Sequence, residues 1–304
     1  MLARIIYILF AVLSLTPWIN APIALLLGLL VAFVMGNPFV DVSKKASKKV
    51  LQWSIIGLGF GLQLNSAFEV SKDAFWLTLG TIVFVFVSVY LFNKFFKLPV
   101  KTAKLIASGT AICGGSAIAA IAPTINAENK DISIAMGTVF ILNAIALFLF
   151  PLIGKGLEMT DMQFGLWSAV AIHDTSSVVG AAQAYSEEAL KLATTIKLSR
   201  ALWIIPLTLL FSFLNKSQVK ITVPYFIVGF ILTMLIAYIF PAGEKVYDVV
   251  SSIAKQLLVF ALFLIGTVMD IKDVKKAGSK SILLGSVVWI LVSVLSLYLI
   301  MQFY

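Results

Sequence analysis

The chain of 304 residues is 61% hydrophobic and 12% charged, with mean hydropathy +1.03, whereas soluble domains run at roughly 45–50% apolar and about 25% charged. A water-soluble fold cannot cover that much apolar surface, and the short connections between apolar runs leave no room for an extramembrane catalytic or nucleic-acid-binding domain. The excess of 23 Lys and Arg over 14 Asp and Glu is therefore read against a lipid bilayer, not a nucleic acid, and the single cysteine, Cys113, excludes an internal disulfide.

Apolar runs long enough to cross ~30 Å of hydrocarbon occur at 4–19, 22–36, 50–66, 74–93, 101–123, 132–153, 163–185, 195–214, 222–240, 253–269 and 281–302. The ten-residue alternation of outer-membrane strands is absent, so the spans are helices and residues 1–304 read as one all-α polytopic membrane domain of about eleven spans. With the Lys44, Lys45, Lys48, Lys49 loop inside, the alternate loops add Lys94, Lys97, Lys101, Lys104, Lys155, Lys216, Lys220, Lys272, Lys275, Lys276 and Lys280; Arg4 makes sixteen basic residues on that side. The other side holds Lys72, Lys130, Lys191, Lys197, Lys245 and Lys255. Sixteen against six places the amino terminus in the cytoplasm and the carboxyl terminus outside a cell (inner) membrane. Arg4 to Leu15 has the basic-then-apolar order of a signal peptide, but no A-x-A-like site follows it, and an uncleaved first helix is expected.

Polar residues deep in these spans are few. Asp174 is the one acidic residue well inside a span, and His173, the only histidine, adjoins it. A charge at the centre of a membrane helix costs roughly 2.5–3.5 kcal/mol, so such residues face a partner or a water-filled cavity. Thr175, Ser176 and Ser177 follow, with hydroxyls suited to satisfying backbone groups where a helix is interrupted. A second interruption is expected at Gly109–Pro123, where Gly114 and Gly115 each cost about 1 kcal/mol relative to Ala in a helix interior. A half-helix restarting at Ser116 turns free amides and a positive dipole end inward, an arrangement that favours anions. Arg200, a turn past Lys197, and Pro206 beyond it add a charge and a kink. Residues 111–122 and 171–182 align without gaps at four identities in twelve, too few to assign a repeat.

Each feature has a plainer reading. Glycines in membrane helices serve close packing, as expected of Gly57, Gly59 and Gly61; Asn143 and Gln63 suit interhelical hydrogen bonds, as does the His173–Asp174 pair; and Arg200 could snorkel to the outer interface. Cys113 suits a small buried position as well as a ligand contact.

These residues carry a family resemblance. Cys-Gly-Gly-Ser-Ala-Ile-Ala-Ala at 113–120 and His-Asp-Thr-Ser-Ser-Val-Val-Gly-Ala-Ala at 173–182, with Gly-Leu-Gly-Phe-Gly-Leu-Gln-Leu at 57–64 and Ala-Leu-Phe-Leu-Ile-Gly at 261–266, resemble the YeiH family of bacterial inner-membrane proteins, a group associated with sulfate export. More remotely, the region from Gly109 to Pro151 is similar to the crossing-helix region of bile-acid sodium symporters and cation-proton antiporters. That likeness implies an extra helix over 1–21, two inverted five-helix repeats over 22–153 and 163–302, discontinuous crossing helices, a second break at Gly266 and Thr267, and a homodimer. The Asp-Asp pair of some sodium-proton antiporters is missing, and only His173-Asp174 stands in this sequence.

The expected function is alternating-access transport of a small anion, with sulfate implied by the resemblance alone. Cys113, Gly114, Gly115, Ser116, Thr175, Ser176, Ser177 and Arg200 are the expected substrate contacts. His173 and Asp174 are the expected coupling pair for a proton or a cation such as sodium, because imidazole changes charge near neutral pH. Neither a cofactor nor a metal is expected. A cation/proton antiporter-like carrier and a channel are the alternatives. An enzyme using Cys113 or Ser116 with His173 is disfavoured, since no Gly-x-Ser-x-Gly elbow is present and Asp174 would point about 100° away from its neighbour on a helix.

Overall fold

The computed structural model describes residues 2–62, 64–215, 225–268 and 278–304. Gln63 and the lysines at 216, 220, 272, 275 and 276 lie outside the described residues, together with what the sequence led one to expect of them. Among the described residues helix occurs within each apolar run read above, and no strand is present. Five of the helices are long and apolar enough to cross a membrane by length and composition: Phe68–Phe96, Asn129–Gly156, Glu187–Leu214, Pro241–Val268 and Ser279–Phe303. The chain forms two compact units, the first from residues 1–68 and 224–271, the second from 69–223 and 272–304.

The first unit contains α1 (Leu2–Leu13), α2 (Ala21–Leu30), α3 (Val40–Leu58), α12 (Tyr225–Ile239) and α13 (Glu244–Val268). Asn20 caps α2 by accepting from the Ile23 amide, and a π-helical turn extends α2 to Met35. α13 packs along α2 and α3, and small residues let the backbones meet. A Cβ added to Gly266 would lie 2.6 Å from the Leu25 carbonyl oxygen and 3.0 Å from Gly28 Cα; one added to Gly57 would lie 2.7 Å from Ala254 Cβ. Gly59 lies as closely against Phe230 and Thr233 of α12. Tyr7 closes the unit, its hydroxyl on Ser43 Oγ at 2.7 Å and its ring edge-on to Phe39 and Phe263.

Two expectations are corrected here. Gly266 and Thr267 do not break a helix: α13 runs through both without interruption. Gly266 is instead the contact point with α2, and Thr267 turns its hydroxyl back to the Leu264 carbonyl at 2.7 Å. Lys44, Lys45, Lys48 and Lys49 lie not in a loop but exposed on the first turns of α3, opposite buried Ser43 and Ser47. Gly28→Ala is expected to force α2 off α13, because the new methyl would meet the Phe263 carbonyl and sit 2.9 Å from Gly266 Cα. A loss of about 1–3 kcal/mol is the scale of such overpacking, to be read as a lower unfolding midpoint in detergent.

The second unit holds α4 (Leu64–Phe96, counted from Glu69), α5 (Val100–Ala111), α6 (Gly115–Ile121), α7 (Asn129–Gly156), α8 (Asp161–Ala171), α9 (Thr175–Tyr185), α10 (Glu187–Ala201), α11 (Ile204–Leu214) and α14 (Ser279–Phe303). Pro99 restricts the residue before it, and the turn between α4 and α5 is fixed by Asn93, whose amide accepts from the Leu98 N–H at 3.0 Å and donates to its carbonyl at 3.1 Å. Capping boxes start α7 (Glu128 with Asp131) and α8 (Thr160 with Gln163), and Ser186 caps α10 through the Ala189 amide. α10 packs on α8 and α9, α7 on α5 and α9, and α14 on α7 and α8. These contacts enclose the places where α5 gives way to α6 and α8 to α9.

Candidate binding site at two helix breaks

Both interruptions expected from the sequence are present, at 112–114 and 172–174, in the same register as the weak alignment of 111–122 with 171–182. At the first, the Gly114 amide reaches back to the Gly109 carbonyl at 2.9 Å, and Gly114 turns at φ +65° and ψ −127° to restart the helix as α6. Residues with a Cβ avoid that conformation. At the second, Ile172 is extended, and Asp174 caps α9 by accepting from the Ser176 amide at 3.1 Å and from the Ser176 hydroxyl. The two breaks touch: a Cβ on Gly114 would lie 3.1 Å from Asp174 Cβ and 3.3 Å from its Oδ1.

A helix that stops inside a bilayer leaves up to four carbonyls without a partner. At the end of α8 all four are taken by side chains from elsewhere. Lys197 Nζ donates to Ala169 O at 3.2 Å and to Ile172 O at 2.7 Å, Arg200 Nη1 to Val170 O at 2.6 Å, and Trp289 Nε1 to Ala171 O at 3.1 Å. Arg200 Nε meanwhile donates to Ala111 O at 2.8 Å, so one guanidinium holds the ends of α5 and α8 together. The exposed amides of the second break are taken by one oxygen, Asn143 Oδ1, at 3.1 Å from His173 N and 3.2 Å from Asp174 N. Lys197 and Arg200 are each 0% exposed, and neither pairs with a carboxylate among the described residues. Their compensation comes from the negative ends of two half-helices, where cations are favoured.

With the backbone accounted for, several buried side-chain atoms have no partner among the described residues: Arg200 Nη2, Asn143 Nδ2, both ring nitrogens of His173 and Thr110 Oγ1. Buried polar groups are paired in the great majority of cases, so these exceptions single out the region of the two breaks as the candidate site. His173 is 1% exposed, its ring 6.4 Å from that of Trp289. Thr175, Ser176 and Cys113 are buried too, and Asp174, Gly115 and Ser177 are half-buried.

Ser116 is the outlier, with an exposed side chain. Arg200 does not snorkel to an interface; it turns inward to both breaks. Lys197, counted with the outer-side basic residues at the edge of the 195–214 run, is a central residue of a span that begins at Glu187, eight residues before the expected start. Ser186-Glu187-Glu188, a helix-start signal of cap plus acidic first turn, would have located it. Asn143 is interhelical as expected, though what it holds is a helix break. Nothing in the sequence marked Trp289 out from the other aromatic residues of the last span. Trp289→Phe removes one donor and keeps most of the packing, so a loss of about 1–3 kcal/mol is expected from the orphaned Ala171 carbonyl, measurable by thermal unfolding.

Apolar spans, two interrupted helices and charged residues sealed against their broken ends define a multi-pass helical membrane protein. The family described as "Conserved hypothetical protein 698" matches residues 1–285. Among similar chains are UPF0324 membrane proteins of Photobacterium profundum, 48% identical over 96% of this chain and 90% of the relative, and of Vibrio parahaemolyticus, 49% identical over 93% of each. One from Bacteroides thetaiotaomicron is 46% identical over 93% of this chain and 86% of its own length. No solved structure matches. The chain belongs to the UPF0324 family, which is the YeiH family.

Proposed function

We propose that the protein is a secondary active transporter of a small anion, working by alternating access, with the breaks at 112–114 and 172–174 as its binding site. The observation that carries this reading is Arg200: a fully buried guanidinium with one nitrogen unpartnered, beside buried Asn143 and His173, which also lack partners for polar atoms. Donors and positive charge held out of water are what an anion site requires. In this reading Arg200, the residues from Cys113 to Ser116 and the hydroxyls of Thr175 to Ser177 contact the substrate, while His173 and Asp174 couple its movement to a proton or another cation. Sulfate is the anion that the family resemblance suggests. The eleven-span topology, cytoplasmic amino terminus and inner-membrane location belong to the same proposal. Against a cation/proton antiporter-like carrier stands Lys197, whose ammonium already occupies the carbonyls of Ala169 and Ile172 that a metal cation would use.

The test is counterflow in proteoliposomes loaded with unlabelled anion, for a set of labelled small anions that includes sulfate. Saturable, trans-stimulated accumulation is expected for at least one of them. Ohmic uptake without counterflow would make the protein a channel. In Asp174→Asn, counterflow that persists while the response to a proton gradient disappears would assign Asp174 to coupling; an unchanged response would remove it from that role.

A further inference from the structure

The fixed charge around the breaks points to the charge of the substrate, and the argument rests on the anion-carrier reading above. Lys197 and Arg200 are fully buried against the broken helix ends, and the carboxylate at the second break is Asp174, the cap of α9. The remaining acidic residues of the second unit whose side chains are described, Glu69, Glu128, Asp131, Glu158, Asp161, Glu187 and Glu188, lie in the first two turns or at the ends of helices. The half-helix ends add nothing to the sum, since two negative ends, of α5 and α8, are matched by two positive ends, of α6 and α9, at about half a charge each. With Lys197 and Arg200 both charged and Asp174 ionised, one positive charge is left uncompensated in a buried place, a costly arrangement unless a partner arrives.

We propose that the site takes a monovalent anion with hydrogen-bond-accepting oxygens, in preference to a dianion. A ligand of charge −1 brings the sum to zero and can accept from Arg200 Nη2, Asn143 Nδ2 and the His173 ring, the donors the fold leaves open. A dianion replaces an excess of one positive charge with an excess of one negative charge. Lys197 is a specificity residue on this account: tethered to Ala169 and Ile172, it sets the total without needing to touch the ligand.

The test is the unfolding midpoint of the purified full-length protein in detergent, titrated at constant ionic strength with nitrate, bicarbonate and formate against sulfate, thiosulfate and hydrogen phosphate. Wild type is expected to be stabilised by a monovalent anion at a concentration about tenfold or more below that of any dianion, tenfold being 1.4 kcal/mol. Asp174→Asn, whose side chain still caps α9, raises the sum to two and should reverse the order. Lys197→Gln, which can still donate to a carbonyl, lowers the sum to zero and should weaken every anion about tenfold or more. Dianions binding wild type as tightly as monoanions, or an Asp174→Asn order unchanged from wild type, would overturn the charge assignment and leave the anion carrier standing. A folded wild type that no anion of either charge stabilises would bring down both.

Discussion

Arg200→Met is expected to lower stability by about 2–6 kcal/mol and to abolish anion counterflow. The substitution keeps the apolar stem but strips the donors from Ala111 O and Val170 O, and each buried carbonyl left without a partner costs about 1–3 kcal/mol. Removing a buried charge returns part of this, because the desolvation cost of the guanidinium goes with it. Arg200→Lys separates the contributions. It keeps the positive charge but not the fork that reaches two carbonyls at once, so a partial loss of stability is expected. An unfolding midpoint in Arg200→Met equal to that of wild type would show that α5 and α8 do not depend on this residue.

The second large effect is a contrast between adjacent glycines. Gly114→Ala should disrupt the site: the residue stands at φ +65°, and its new methyl would press on Asp174 Cβ at 3.1 Å and Cα at 3.3 Å. The backbone conformation alone costs about 1–3 kcal/mol for a residue with a side chain, and the contact can be relieved only by moving the cap of α9. Gly115→Ala places its methyl 3.5 Å from the ring of Phe140, an ordinary contact, within a helix where Ala is the better former. Its stability should stay within about 0.5 kcal/mol of wild type. Thermal unfolding of the two variants, with anion titration of each, decides the matter. Equal behaviour would mean that the approach of Gly114 to Asp174 is not what positions the breaks.

Much of this site was legible in the sequence because helix interruption is a local property. Paired glycines cannot hold a helix through a membrane interior cheaply, and Asp174 followed by Thr175, Ser176 and Ser177 is a cap before a new helix. What joins the breaks was not legible. Gly114 and Asp174 are sixty residues apart, and their contact depends on how α5–α6 and α8–α9 pack. Gly266 shows the same limit from the other side: a glycine and a threonine in an apolar helix read alike whether they break it or admit a neighbour, and only the presence of Gly28 on α2 decides. Lys197 counts with the outer-side charges in the sequence because hydropathy is blind to a lysine whose partners are main-chain carbonyls. Asn143 was read as a bond between helices, which it is, but the amides it accepts from exist only because the helix at 172–174 stops.

The two buried cations also bear on how the chain is made. The segment Glu187–Leu214 is the least apolar of the five long spans, with Lys197 and Arg200 near its middle. Released alone from a translocon into lipid, it would carry two central charges at a penalty of roughly 5–7 kcal/mol. The carbonyls that answer those charges sit on α8 and on α5, both synthesised earlier. Insertion of this segment is therefore expected to be cooperative, with α8–α9 held beside the translocon until α10 leaves with it.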